Sequence, residues 1–118
     1  MMQVANVPAR FKIGLTIPNE AAGEISGYHC WAEYYEPEKG WQPVDASEAW
    51  KHPEMKGAYF RNFDTNKFLI SLGRDIELIP PQSGEPVNIF FYPHVEVDGK
   101  EFKDLKMTFY FRNLTKEK

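Results

Sequence analysis

The alternation of apolar and polar side chains predicts most of the regular structure in this chain. Between Arg10 and Ile17 every second side chain is apolar, which indicates a β-strand with one buried face. Further strands are predicted at 68–72, 76–79, 89–97 and 106–112, the third of them weakened at Pro93 because proline cannot donate a ladder hydrogen bond. A short helix is predicted at 46–52, where Pro53 ends it. The inventory indicates an α+β domain of mostly antiparallel β-sheet with little helix.

The segments between these elements carry weaker signals. Residues 1–7 predict the last turn of a helix that stops before Pro8, because the residue preceding a proline is disfavoured in the α region. Residues 19–26 are small and polar and predict a mobile loop. Residues 55–66 have no clean period and stay unassigned. Asp98 and Gly99 suit a tight type I′ turn.

The aromatic stretch 27–45 predicts a β-hairpin, and the register of that hairpin decides which side chains meet. The first arm is aromatic, the loop contains proline and glycine, and the second arm alternates. A five-residue loop closed by Tyr34 and Gly40 predicts three opposed pairs: Glu33 with Trp41, Trp31 with Pro43, and His29 with Asp45. Opposed residues have Cβ atoms about 4.5–5.5 Å apart, within reach of a hydrogen bond from imidazole to carboxylate. A slip of one residue would place the two side chains on opposite faces.

A histidine beside a carboxylate has two interpretations here. In a catalytic triad the carboxylate orients the imidazole, whose other nitrogen acts as a base on a nucleophile. Alternatively, His29 is a half-buried strand residue and Asp45 caps the following helix, with Glu48 three residues later completing a capping box. Spacing alone leaves both open.

Two motifs in the hairpin resemble those of a known family. The first arm contains Gly-x-His-x-Trp-x-Glu and the second Gly-Trp-x-Pro-x-Asp, carried by Gly27, His29, Trp31 and Glu33 and by Gly40, Trp41, Pro43 and Asp45. They resemble the His and Asp motifs of the transglutaminase-like superfamily of papain-like cysteine enzymes. Residues 7–11 resemble the segment where the nucleophile-bearing helix of that family ends. Residues 73–75 and 80–93 resemble the tail of bacterial members.

The resemblance implies that residues 1–118 are the C-terminal portion of a transglutaminase-like domain, a partial papain-like fold without the cysteine-bearing helix. In a complete relative a cysteine thiolate attacks an amide carbonyl, His29 acts as base and then as acid, and Asp45 orients it. The acyl group then passes to water, as in a protease or amidase, or to an amine, as in glutamine cross-linking. A protein or peptide substrate and no cofactor are implied, and the motifs do not separate the two outcomes.

The only cysteine of the sequence is Cys30. Neighbouring strand residues face opposite ways, so its sulfur is expected to point away from His29 and to behave as a small buried thiol. The chain alone is therefore expected to be inactive. The competing interpretation is a non-catalytic protein-interaction domain that keeps the sheet as a binding surface.

Two further features bear on the site. Trp31 and Trp41 are candidate substrate-binding residues, although inward aromatics of a hairpin are more often core. No metal site is expected, because His29 and Cys30 face opposite ways and no Cys-x-x-Cys or His-x-x-x-His spacing occurs.

The amino-acid composition of this chain limits the classes of partner that it is expected to bind. The 118 residues carry 14 basic and 17 acidic side chains, a net charge of −3, with no basic cluster to favour nucleic acid or an anionic membrane. No apolar run approaches the roughly 20 residues of a membrane span, and the N-terminus has no signal-peptide pattern. A cytoplasmic protein, or one that has lost an N-terminal segment, is expected.

The absent helix carries one structural expectation. A papain-type fold packs that helix on the sheet, so the row of Phe11, Ile13 and Leu15 is expected to be an exposed apolar strip. Such a strip rarely stays bare. The chain is therefore expected to self-associate, to cover the strip with its own rearranged N-terminus, or to need the remainder of a larger protein.

Overall fold

A computed structural model of the protein describes residues 6–60 and 66–114. The strands are β1 (Ala9–Thr16), β2 (Ala22–Ile25), β3 (His29–Glu36), β4 (Gly40–Val44), β5 (Lys67–Leu72), β6 (Glu96–Val97), β7 (Lys100–Glu101) and β8 (Phe109–Arg112). The helices are α1 (Ala46–Lys51) and α2 (Lys56–Tyr59), separated by a single 3₁₀ turn (Pro53–Met55).

The main sheet is antiparallel throughout, with the strand order β4-β3-β1-β5. The strands β3 and β1 are internal in this sheet. The alternating apolar row of β1 fits an antiparallel strand with one buried face. Two small antiparallel ribbons, β2 with β8 and β6 with β7, complete the described strands. The predicted α+β class with mostly antiparallel sheet and little helix is confirmed.

One face of the sheet lies against the hydrophobic core. Ile13 and Leu15 of β1 are buried together with Ile25 of β2 and Phe91, and Phe109 packs against this cluster. The expectation that the Phe11, Ile13 and Leu15 row is an exposed strip is therefore wrong. The reason is that the β2–β8 ribbon and the segment around Phe91 cover this face.

Several strand predictions need correction. The loop expected at 19–26 contains β2, because its backbone finds a partner in β8. The strand expected at 76–79 makes only one bridge, between Ile76 and Val87, and the strand expected at 89–97 shortens to β6. A strand persists only where a neighbouring backbone supplies partners for its N–H and C=O groups, so apolar alternation alone overpredicts strands in this proline-rich part.

Other elements agree with their predictions. Asp98 and Gly99 both have positive φ, 52° and 72°, between the paired residues Val97 and Lys100, as a type I′ turn requires. The helix expected at 46–52 is α1. The helical turn expected at 1–7 falls largely on residues 1–5, and part of the unassigned 55–66 segment on 61–65, both outside the described residues.

Gly14 occupies a close approach between β1 and β5. A Cβ atom at this position would lie 2.0 Å from the Phe68 carbonyl oxygen and 3.0 Å from the Trp31 ring. The pairing of β1 with β5 shifts register here, between Ile13 and Gly14. Because Gly14 has no side chain, β5 can approach β1 closely at this point, where Gly14 pairs with His29 of β3 on its other side.

Candidate active site

The hairpin of β3 and β4 is tighter than the sequence suggested. Its pairs are Ala32 with Val44, Glu33 with Pro43, Tyr34 with Gln42, Tyr35 with Trp41, and Glu36 with Gly40. The predicted register was therefore wrong by two residues. The loop needs only residues 37–39 because Glu38 and Gly40 both adopt left-handed φ values, 71° and 75°. A slip of two residues leaves every side chain on its predicted face.

His29 and Asp45 consequently lie on the same face, as diagonal rather than opposed neighbours. The imidazole Nε2 is 2.5 Å from Asp45 Oδ2, so the predicted hydrogen bond is confirmed. The His29 side chain is 19% exposed and that of Asp45 only 5%. Since an ionised carboxylate can only accept, Nε2 carries the proton and Nδ1 is the basic nitrogen. This is the tautomer that a general base requires.

Asp45 also caps helix α1, so one carboxylate both caps the helix and accepts the hydrogen bond from His29. Its Oδ1 accepts a hydrogen bond from the Glu48 N–H at 3.1 Å and one from the Ser47 hydroxyl at 2.9 Å. Its Oδ2 remains for His29. One carboxylate thus anchors the start of α1 and orients the imidazole.

A lysine from the far edge of the sheet completes the surroundings of Asp45. The Lys67 ammonium, at the start of β5, donates a hydrogen bond to the same Oδ2 that His29 contacts. Burial alone would raise the pKa of Asp45, yet the hydrogen bonds from Lys67, His29, the Glu48 N–H and Ser47 hold it well below its usual range. Asp45 is therefore a fixed negative charge at neutral pH.

The Trp31 ring packs against the His29 ring and lies near the Lys67 ammonium. It is buried on the same face, with its ring stacked on that of His29 at a centroid distance of 6.3 Å and an interplanar angle of 19°. The Lys67 ammonium lies 5.7 Å from the centre of the Trp31 ring. The structure thus brings His29, Asp45 and Trp31 together.

Trp41 lies elsewhere on the same face. It pairs with Tyr35, six residues along β3 from His29, which corresponds to about 20 Å at the rise of a strand. Its ring is 38% exposed, covered by the Arg10 guanidinium at 4.1 Å and by the edge of Tyr35. Trp41 is not brought to His29, and its substrate contact stays a prediction.

A second buried carboxylate lies between these two regions. Glu33 accepts hydrogen bonds from Lys12 and, at 2.6 Å, from Arg10. Burial opposes ionisation, but the Lys12 and Arg10 contacts keep the pKa of Glu33 below its usual value. The Glu33, Lys12 and Arg10 side chains therefore form an ion cluster on this face of the sheet, between His29 and Trp41.

Cys30 is on the opposite face of the sheet, as predicted. It is paired with Ile13 and packs against the hydrophobic core. Burial raises the pKa of the Cys30 thiol. A partly buried thiol with a raised pKa on the far face has neither the ionisation nor the position of a nucleophile for His29.

A small pocket opens beside the His29 ring. It is formed where β1 ends and where β2 leads into β3, and its lining residues are Thr16, Pro18, Glu24, Ile25, Ser26, Gly27, Tyr28 and His29. Three residues of the segment 19–26, Glu24, Ile25 and Ser26, contribute to this lining.

Two negative findings concern the described residues alone. In residues 6–60 and 66–114, no three His, Cys, Asp or Glu side chains are grouped as a metal ion would require. Within the same ranges, no helix has the length and apolarity needed to cross a membrane. The cytoplasmic location stays a prediction.

Sequence reasoning missed Lys67. It begins a strand that the alternation at 68–72 indicates, but nothing in the sequence says that β5 pairs with β1 or in which register. The pairing of Lys67 with Thr16 places its side chain on the His29 face. Only tertiary structure reveals this neighbour of Asp45.

Comparison with known proteins supports the family resemblance. The transglutaminase-like superfamily profile matches residues 1–46, which end just after Asp45. A protein of Haemophilus influenzae described as uncharacterized is 34% identical over 103 residues, covering 70% of this chain and 28% of that protein. The chain thus spans less than a third of the length of this relative. No solved structure matches. The hydrogen bond between His29 and Asp45 lies inside the segment that matches the transglutaminase-like superfamily.

Proposed function

We propose that this chain supplies the histidine and aspartate of a thiol-dependent acyl-transfer site that acts on peptide or glutamine amide bonds. The observation that carries the proposal is the 2.5 Å contact between His29 Nε2 and Asp45 Oδ2, which leaves Nδ1 as the basic nitrogen. Asp45 is held by four donors and cannot turn away. An imidazole fixed in this tautomer can take a proton from a thiol and return it to a leaving amine.

The proposed reaction has two steps. A cysteine thiolate, whose proton His29 has taken, attacks the amide carbonyl, and the C–N bond breaks as the imidazolium protonates the leaving amine. The thioester is then attacked by water or by a primary amine, whose proton His29 removes and returns to the departing thiol. Asp45 remains ionised throughout and stabilises the imidazolium.

The nucleophile of this reaction is not Cys30. That thiol faces the hydrophobic core, away from the His29 ring. The thiol must therefore come from a polypeptide segment other than residues 1–118, and the low coverage of the longer Haemophilus influenzae relative is compatible with such a segment.

The test uses the longest natural reading frame that contains residues 1–118. Iodoacetamide labelling at pH 6, followed by mass spectrometry, identifies any cysteine that is a thiolate. Amine incorporation into a glutamine-containing protein and hydrolysis of a glutamine-containing peptide are measured in parallel. We expect one of the two turnovers, lost by about 10²–10⁴-fold in His29→Ala and retained in Cys30→Ala.

His52→Ala is the matched control, since this histidine is half exposed and contacts Glu54, remote from Asp45. It should retain full turnover. Equal activity in His29→Ala and wild type would refute the proposal. The product separates the two chemistries, because hydrolysis leaves a free carboxylate on the acyl group whereas transamidation joins the added amine to it.

The second candidate function is a non-catalytic interaction domain. The position of Cys30 favours it, because the sequence offers no other thiol for the His29 face. If the natural reading frame contains no cysteine that labels at pH 6 and shows neither turnover, this candidate replaces the first.

A further inference from the structure

Lys67 is a buried cation with a defined place in the site. Its side chain is 10% exposed. It starts from the first residue of β5, passes over the Trp31 ring, and ends on Asp45 Oδ2. Few lysines are this buried, and those that are have a partner. Here the partner is the carboxylate that orients His29.

The two nitrogens share one oxygen. His29 Nε2 and Lys67 Nζ both contact Oδ2, while Oδ1 is taken by Ser47 and the Glu48 N–H. A carboxylate offers about four lone-pair positions, so all are used. Lys67 therefore limits both the rotation of Asp45 and the charge that Asp45 presents to His29.

Sharing an oxygen also brings the two nitrogens close together. Two donors on one acceptor lie within about 6 Å of each other, so an imidazolium at His29 would sit beside the Lys67 ammonium. The other charged groups near this face are Asp45 after β4, Glu24 of β2 in the adjoining pocket, and Lys12 of β1, which is bound to Glu33. Among residues 6–60 and 66–114, the cation that shares Asp45 Oδ2 with His29 is Lys67.

We propose that Lys67 is a positioning residue that holds Asp45 in place and disfavours the charged form of His29, so that the imidazole is available as a base. With Lys67 present, the Asp45 charge is largely balanced before His29 binds a proton. Without it, the whole carboxylate charge would stabilise the imidazolium. The catalytic consequence rests on the proposed function, whereas the effect on His29 does not.

The test is an NMR titration of the histidine ring protons in the 118-residue protein. Lys67→Met removes the ammonium and keeps most of the stem. We expect the midpoint of the His29 titration to move to higher pH by about one unit, the order of a like charge at this distance in partly screened surroundings. Lys67→Arg keeps the charge and should leave the midpoint within about 0.3 pH unit.

Lys12→Met is the matched control. Lys12 is a similarly buried lysine on the same face, 12% exposed, but its carboxylate partner is Glu33. It should leave the His29 midpoint within about 0.3 pH unit. A midpoint that stays or falls in Lys67→Met, or an equal rise in Lys12→Met, would overturn the proposal.

Folding is checked from the dispersion of the amide spectrum. If Lys67→Met does not fold, Lys67→Gln replaces it, since its amide can still donate to Asp45 without the charge, and the same upward shift is required. If neither folds, a shift of about one pH unit in Lys67→Arg counts against the proposal.

The readout also separates this proposal from the proposed function. It needs neither thiol nor substrate, so a positive result stands even if no acyl transfer is found. If turnover is found, the acid limb of its pH profile should move to higher pH in Lys67→Met and be restored in Lys67→Arg. A merely structural lysine would lower the rate without moving the limb.

Discussion

Asp45 is the residue whose replacement should reveal most about the architecture of the site. Its Oδ1 anchors helix α1 and its Oδ2 binds His29 and Lys67. Two substitutions separate the helix cap from the contacts with His29 and Lys67. Asparagine caps helices as well as aspartate does, whereas alanine cannot cap. Asp45→Asn should therefore lose the ionic half alone, and Asp45→Ala both halves.

The magnitude follows from the burial of the partners. Removing one member of a buried ion pair costs about 3–5 kcal/mol, because the other charge is left unpaired. Lys67 keeps 10% exposure and His29 19%, which relieves part of that penalty. We expect Asp45→Asn to lower the free energy of unfolding by about 2–4 kcal/mol and Asp45→Ala by about 1 kcal/mol more.

Geometry explains why asparagine is not neutral here. If its carbonyl oxygen keeps the contact with the Glu48 N–H, its amide group faces the Lys67 ammonium, and two donors then oppose each other. The alternative rotamer satisfies Lys67 and abandons the cap. Either way one buried group loses its partner.

The assay is urea unfolding followed by tryptophan fluorescence and circular dichroism at pH 7. Asp104→Asn, at an exposed site, is the control and should change the free energy by less than about 0.5 kcal/mol. A loss below about 1 kcal/mol for Asp45→Asn would refute the reasoning, since it would mean that the buried contacts contribute no more than a surface pair.

The free energy of unfolding at low pH gives a second test of the Asp45 contacts, and the direction of its change is defined. The pKa of Asp45 is held below its usual range in the folded protein, so its stabilisation is fully present above the pKa of the unfolded chain. It is lost as the pH falls through the folded pKa. The gap between wild type and Asp45→Asn should thus narrow steadily below about pH 4. A gap that widens in acid would contradict this assignment.

Two further predictions concern the sheet. Gly14→Ala should lower the free energy of unfolding by at least about 2 kcal/mol, because its Cβ would meet the Phe68 carbonyl, while Gly84→Ala, in open space, stays within about 0.5 kcal/mol in the same urea assay. Cys30 should react with iodoacetamide slowly in the folded protein at pH 7 and fast in urea, because its thiol is partly buried with a raised pKa. Fast labelling at pH 6 in the folded state would contradict the placement of Cys30. An unchanged stability in Gly14→Ala would contradict the close contact between Gly14 and the Phe68 carbonyl.

The sequence by itself determined which side chains share a face. Strand parity has a period of two, so the alternation in β1 and the motifs of β3 and β4 placed His29, Trp31 and Asp45 on one side even with the hairpin register misjudged by two residues. The same parity placed Cys30 on the other side. These conclusions survive because local backbone geometry alone enforces them.

Tertiary structure decided what local patterns cannot encode. The tight loop at 37–39 depends on left-handed φ at Glu38, which a non-glycine residue adopts only when the hairpin around it supplies the compensating hydrogen bonds. The cover over Ile13 and Leu15 comes from residues far along the chain. Lys67 reaches Asp45 only because β5 pairs with β1, a contact between segments some 50 residues apart whose register depends on how all the strands pack together.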